Sequence, residues 1–379
     1  MKIKNNKKER NSGIELTKVI AIFLIILSHV VETLIAGSDV IPLIRGYDFS
    51  FSSGGIRHVI IMLCSYAGLL GNAIFLWASS YFLVDDNKVK KDKVFTMILN
   101  NFIIYFIFLV ITLLLGYDLS NKRIHTYLFP TIYGLNWFVT AYIMLYLIHP
   151  LLNMIINNIN KRLHLCICMF LIIIYSIIPF FEKNLLYTTR LTDLITIYFI
   201  TAFVKKYLNK FEDNKKLNIT ILITSIILFI LQGFVLNFLG NHFNYYHNKV
   251  LTGSYTTNLI NILIAMSMFN VFKKFKFKSN IINYISSLSL LIYIIHENHF
   301  NIFVYRPIIW NHIYKLFTYK YIVTEILLFG ICLFIGSTLL GSIYKETIGK
   351  LIDKLSNKLS KLYEYITDKT YKLIDNKLK

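Results

Sequence analysis

Charge is scarce in this chain. Only 16 % of its 379 residues are Asp, Glu, Lys or Arg, whereas a soluble domain carries about a quarter. Acidic residues are scarcer still, 20 against 40 Lys and Arg, for a formal net charge of +20. Strand-like alternation is missing, which excludes a β-barrel built from period-two segments. No Walker loop, dinucleotide fingerprint, HExxH pair or nucleophile elbow occurs. Internal repeats are also missing, which weakens a transporter built from duplicated halves. The four cysteines, Cys64, Cys166, Cys168 and Cys332, lie in or beside apolar segments and read as small core residues. Cys166 and Cys168, two positions apart, face different ways on a helix and cannot share a metal ion.

What the chain has instead is apolar length. Mean hydropathy is +0.57 and 56 % of residues are hydrophobic. Ten apolar blocks stand out, at 16–35, 59–83, 94–116, 131–152, 163–180, 191–208, 219–238, 254–272, 281–297 and 321–344. Each is long enough to cross a bilayer as a helix. The fold class is therefore all-α, a polytopic membrane protein of about ten transmembrane helices. Lys and Arg mark the cytoplasmic loops of such proteins. With the N-terminus inside, 29 of them fall on the inner side, 10 on the outer, and Lys18 within the first block. Both termini are expected inside. This asymmetry explains the positive charge better than a nucleic-acid partner does.

The first block is too long for the apolar core of a signal peptide. Residues 1–344 read as one membrane domain. The outer connections at 36–58 and 298–320 contain aromatics, Gly54-Gly55 and Arg306-Pro307, and look like structured caps or re-entrant pieces. Residues 345–379 differ: Ile352, Leu355, Leu359, Leu362, Ile366 and Leu373 form one stripe, with lysines largely elsewhere. A basic amphipathic helix on the anionic inner leaflet fits this pattern, as does a short coiled coil.

Ionisable groups inside a bilayer are costly and tend to mark a path or site. The first block holds two, spaced Lys18-x10-His29. Eleven residues make about three turns, so both side chains share a face, roughly 16 Å apart along the axis. Glu15 can stack beside Lys18 and Glu32 beside His29. A histidine steadied by a carboxylate is a general base; the plainer reading is a hydrogen bond to a neighbouring helix. A second cluster closes the ninth block: Tyr293, His296, Glu297, Asn298 and His299, with Arg306 following. It falls on the same outer side as His29 and exceeds what an aromatic interface belt needs. Lys88, Lys90, Lys91 and Lys93 follow the second block. They fit a phosphate-bearing ligand as point charges, and equally fit positive-inside topology. Asn72 reads as an interhelical bond, and His149 before Pro150 as a cap on a kink.

Four phrases then resemble one family in the right order through most of residues 10–345. They are "RNSGIELTKVIAIFLIILSH", "GNAIFLWASSYFL", "NWFVTAYIMLYLIHPLLN" and "SSLSLLIYIIHENHF…YRPIIW". Together they are similar to acyltransferase family 3, membrane enzymes that O-acylate polysaccharides and related cell-envelope molecules. Lys18 stands where the family more often has arginine. Ser80 replaces an expected glycine, which bears on close helix approach there. Lys90 and Lys93 keep the spacing of an Arg-x-x-Arg pair without its residues.

The resemblance implies an O-acetyltransferase of a bacterial cytoplasmic membrane, with acetyl-CoA as cytoplasmic donor and no metal. Lys18, Lys90 and Lys93 would meet the donor's phosphates. His29, oriented by Glu32, would act as general base on the acceptor hydroxyl or pass the acyl group outward. His296, Glu297 and Arg306 would bind the acceptor, a surface polysaccharide or its lipid-linked precursor. Besides acyl-CoA, the glycan and membrane lipids, no partner is implied, and no nucleic acid. The competing reading is a transporter or flippase of a glycan intermediate.

Overall fold

In a computed structural model, residues 10–36, 55–181, 190–243, 256–316 and 321–378 are described. Among them the chain is helical, with no strand. In chain order the main helices are α1 (Ser12–Ala36), α2 (Ile56–Leu83), α3 (Lys91–Leu114), α4 (Asn121–Leu128) and α5 (Trp137–Asn158). Then come α6 (Lys161–Ile172), α7 (Arg190–Tyr207), α8 (Lys215–His242), α9 (Leu259–Phe272), α10 (Asn280–Ser287) and α11 (Ser289–His296). The last are α12 (Arg306–Leu316), α13 (Ile322–Tyr344) and α14 (Lys350–Leu378).

Six of these meet the length and hydropathy of a membrane span: α1, α2, α3, α5, α8 and the run Ile322–Lys372 begun by α13. The other four expected spans are helical but shorter or interrupted. α6 gives way to a π-helical stretch at Ile173–Ile177, α7 has only 18 residues with charges near both ends, and α9 has 14. The ninth block breaks at Leu288 between α10 and α11. That break lets α11 set its own direction and carry its C-terminal residues toward α1. The expected cap at 36–58 lies mostly outside the described residues. The one at 298–320 is helical through Asn301–Leu316, and its Trp310 ring packs 5.0 Å from Phe329 of α13.

Side-chain exposure follows a lipid solvent. α8 leaves Ile223, Ile227, Leu231, Val235 and Phe238 exposed along its length. Water would penalise such a stripe, and hydrocarbon would not. Burial is high along α1, whose Ala21, Ile26, Val30 and Val31 are fully enclosed.

The most extensive contact joins α1 to α2. Small residues let membrane helices approach closely. Here these are Gly68 and Gly71, and Ser80, buried without a partner for its hydroxyl, stands elsewhere on α2. A Cβ on Gly68 would meet the Ser28 side chain at 2.4 Å, and one on Gly71 the Ala21 carbonyl oxygen at 2.5 Å. Backbone cannot swing aside, so a methyl group at 71 must separate the helices. Gly71→Ala should therefore cost about 1–3 kcal/mol of stability, as overpacking does, and displace His29. A thermal midpoint in detergent equal to that of the parent would refute this account of the α1–α2 seam.

Candidate functional site

The end of α1 and the end of α11 meet inside the bundle. His29 Nδ1 lies 2.7 Å from Glu297 Oε2 and 3.0 Å from His296 Nε2. The network dictates where the protons sit. His296 Nδ1 faces the Ile292 carbonyl at 2.7 Å. A carbonyl only accepts, so Nδ1 carries the hydrogen and His296 Nε2 is bare. His29 Nδ1 thus faces a bare nitrogen and a carboxylate, and must be the donor to both. That leaves the lone pair of neutral His29 on Nε2, which makes no hydrogen bond among the described residues. An imidazole held at Nδ1 with Nε2 open is poised to accept a proton.

The carboxylate on His29 is Glu297, 268 positions away in sequence. This corrects the pairing expected from α1 alone: Glu32 is exposed and no hydrogen bond joins it to His29. The other expected substrate contacts also take different positions. His296 is fully buried behind His29. Arg306, only 3 % exposed, spends its two terminal nitrogens on protein, while its buried Nε–H has no hydrogen-bond partner. It donates to the His29 carbonyl at 3.1 Å, to Thr33 Oγ1 at 3.3 Å, to the His296 carbonyl, and to Glu297 Oε2 at 3.5 Å. Thr33 in turn donates to the His29 carbonyl at 2.8 Å. Arg306 is a clamp across three elements, and its charge offsets that of Glu297 where water cannot.

A cavity of about 500 Å³ approaches this cluster from the Lys18 end of the bundle. Lys18, Ile22 and Ile25 line it, successive turns of the α1 face that carries His29 next. Lys18, Lys93 and Lys345 bring three cations to its wall. Lys18 is steadied by Glu15 at 3.3 Å, as its spacing suggested, and Glu15 also accepts from Ser286. Lys93 sits over the Tyr146 ring at 4.5 Å. Lys90 is not among the lining residues; its ammonium is 3.8 Å from Asp86 and largely exposed. The other wall includes Tyr293, whose ring packs edge-on against His29 at 6.4 Å and His296 at 5.6 Å. The Tyr293 hydroxyl is buried, with the Phe138 backbone beside it but no hydrogen-bond geometry.

One of these residues was not singled out from sequence. Lys345 belongs to a π-helical turn, Lys345–Gly349, that links α13 to α14. Its ammonium donates to Ser287 Oγ at 2.8 Å. Gly349 and Asp353 also line the cavity, so the C-terminal segment forms part of its wall. α14 is held against α3 by Lys91–Glu364 at 3.3 Å and Phe95–Tyr363 ring contact at 6.3 Å. Leu351, Leu355, Leu362 and Ile366 remain exposed on it. Tyr293, named from sequence in the cluster closing the ninth block, lies one turn before His296 on the same face.

The donor atoms of His29, His296 and Glu297 lie within 4.8 Å of one another, a spacing that suits a cation. Arg306 already supplies the balancing positive charge beside Glu297, which favours the hydrogen-bonded arrangement.

A family model described as an acyltransferase domain matches residues 11–345. No curated protein and no solved structure matches the chain. The match ends where α14 is about to begin, so the helix walling the cavity falls outside it.

The clamp is open to test. Arg306→Ala leaves the buried Glu297 carboxylate without its guanidinium counter-charge, a loss of up to about 3–5 kcal/mol, and should lower the thermal midpoint of the purified protein. A variant of unchanged midpoint but weakened acceptor use would return Arg306 to the sugar-binding role expected from sequence.

Proposed function

The chain belongs to acyltransferase family 3, and on that premise we propose that it is a membrane O-acetyltransferase. Its donor is cytoplasmic acetyl-CoA. Its acceptor is a hydroxyl of a bacterial surface polysaccharide or of its lipid-linked precursor. In this reading the chain crosses the cytoplasmic membrane about ten times with both termini inside. The observation that carries it is the cavity along the α1 face, basic beside Lys18, Lys93 and Lys345 and reaching Tyr293 against His29. A thioester arm entering there brings its acyl group to the buried imidazole, while its phosphates stay with the lysines. The flippase weighed from sequence has no observation on its side.

The chemistry follows from the proton positions. His29 Nε2 takes the proton of the acceptor hydroxyl as its oxygen attacks the thioester carbonyl carbon. Glu297, on Nδ1–H, steadies the imidazolium that forms, as a carboxylate does for a base of this kind. The unpartnered Tyr293 hydroxyl is suited to donate to the developing oxyanion, since a donor already desolvated costs nothing to reorganise. The carbon–sulfur bond then breaks, the imidazolium returns its proton to the departing thiolate, and the products are an ester and the free thiol. Lys18, Lys93 and Lys345 hold the donor.

His29→Ala should lower turnover at least 100-fold, within the roughly 10²–10⁴ range of general-base catalysis, without loss of membrane insertion. The readouts are thiol release from acetyl-CoA by purified protein and the O-acetyl content of surface glycan, by NMR before and after mild alkali. Retained acetylation in cells carrying only that variant would remove His29 from the mechanism. Tyr293→Phe keeps the ring and deletes the donor. It should cost on the order of 100-fold in kcat, with the donor KM little changed; full activity would leave the oxyanion without this partner.

A further inference from the structure

A second cavity opens at the opposite end of the bundle. Its volume is about 440 Å³, within the range of small-ligand sites, which run roughly 300–1,000 Å³. Three segments build it. The loop into α4 and its first turns give Ser120, Lys122, Arg123 and Thr126; Leu135 precedes α5; His299, Phe300 and Phe303 follow α11. α3 runs from Lys91, near the basic cavity, for 24 residues before this loop, a rise of about 36 Å. The two cavities therefore lie at opposite ends of the molecule, with the His29 cluster between them.

The second cavity is tied closely to that cluster. His299 is two residues beyond Glu297, so their Cα atoms are at most about 7.6 Å apart. Tyr127 fixes the wall: its ring lies 4.3 Å from Phe300 and 6.1 Å from His299. His299 in turn meets Phe303 edge-on at 5.5 Å. Aromatic faces beside hydroxyls suit a pyranose, which has one apolar face and polar edges.

The charge is the informative part. Lys122 and Arg123 both line the cavity, and among the described residues no acidic side chain does. Positive-inside topology accounts for basic residues at the Lys18 end and gives no reason for a Lys-Arg pair here. Both side chains are exposed at the cavity's edge, where cations attract a charged ligand without paying for burial.

We propose that this outer cavity binds the acceptor and that the acceptor is an anionic glycan, with carboxylate or phosphate groups on its repeat. Lys122 and Arg123 meet the oxyanion, the aromatic wall holds the sugar, and its hydroxyl is presented toward His29. The inference rests on the acyltransferase reading for what happens to the bound glycan, but not for its binding.

The test separates the two. The full-length protein is placed in nanodiscs of uncharged lipid, and equilibrium binding is measured for an oligogalacturonate, a glycerol-phosphate oligomer and a malto-oligosaccharide of matched length. At least one anionic probe should bind tenfold or more tightly than the neutral one, and its affinity should fall as salt rises. Lys122→Ala with Arg123→Ala should remove that preference, and Lys122→Glu with Arg123→Glu should reverse it. The acetyl-CoA KM and the thermal midpoint should be unchanged, since both positions are on the surface. Equal binding of all three probes, or a double variant that keeps the preference, overturns the proposal. Charge-dependent binding without acetyl transfer to any probe, and without glycan O-acetylation in cells, would uphold the site and sink the acyltransferase reading instead.

Discussion

The arrangement depends on one shared hydrogen, the Nδ1–H of His29, held between Glu297 and His296. It fixes which nitrogen of the buried imidazole is open. It also joins the first long helix to a short one 267 positions later in the chain. Neither helix end would remain where it is alone. The His296 carbonyl sits at a helix C-terminus, where backbone acceptors lack intrahelical partners, and the His29 carbonyl lies about two turns before the end of α1. Arg306 satisfies both with one guanidinium. A planar fork can bridge two acceptors that a lysine's point charge could not.

That economy matters because the cluster lies within an apolar bundle. A lone carboxylate there would be costly, and a lone guanidinium equally so. Together with two imidazoles they form a closed set whose charges offset one another. Removing any member exposes the rest to the full cost of burial, which is why such a set is rigid. Rigidity suits a base that must present one lone pair in one direction. The glycine seam of α2 serves the same end from the other side, pressing α1 so closely that His29 cannot slide.

Much of this was legible in the residues, and the limits are physical. The Lys18-x10-His29 face needed only helical periodicity, and the cavity does follow its intervening turns through Ile22 and Ile25. The polar end of α11 stood out because so many ionisable groups closed one apolar block. Which group meets which could not be read. Glu32 is near His29 in sequence and Glu297 is near it in space, and local spacing carries no information about the second. Arg306 looked like a free cation because half of its partners are backbone carbonyls, which no sequence pattern displays. Hydropathy alone likewise misses the break at Leu288 and the π-helical stretch at Ile173–Ile177, since both lie inside continuous apolar runs. The amphipathic stripe of the tail was visible, but its part in the cavity wall arises from the turn at Lys345–Gly349.

Two cavities at opposite ends of one buried cluster bear on how a group could cross a membrane without its carrier. A coenzyme with several phosphates would pay a prohibitive desolvation cost to traverse the bilayer, and a polymeric glycan is too large to follow it. The transferred group alone is small and nearly neutral. Anchoring each large partner on its own side leaves only that group to pass the imidazole. The cations at the two ends are then not redundant. In the function proposed, those at Lys18, Lys93 and Lys345 hold back a donor that must not enter further. In the same proposal, those at Lys122 and Arg123 draw an acceptor toward a site it could not otherwise find among apolar walls. Selectivity resides at the ends, where water permits charge, and chemistry resides in the middle, where water is excluded and one oriented lone pair suffices.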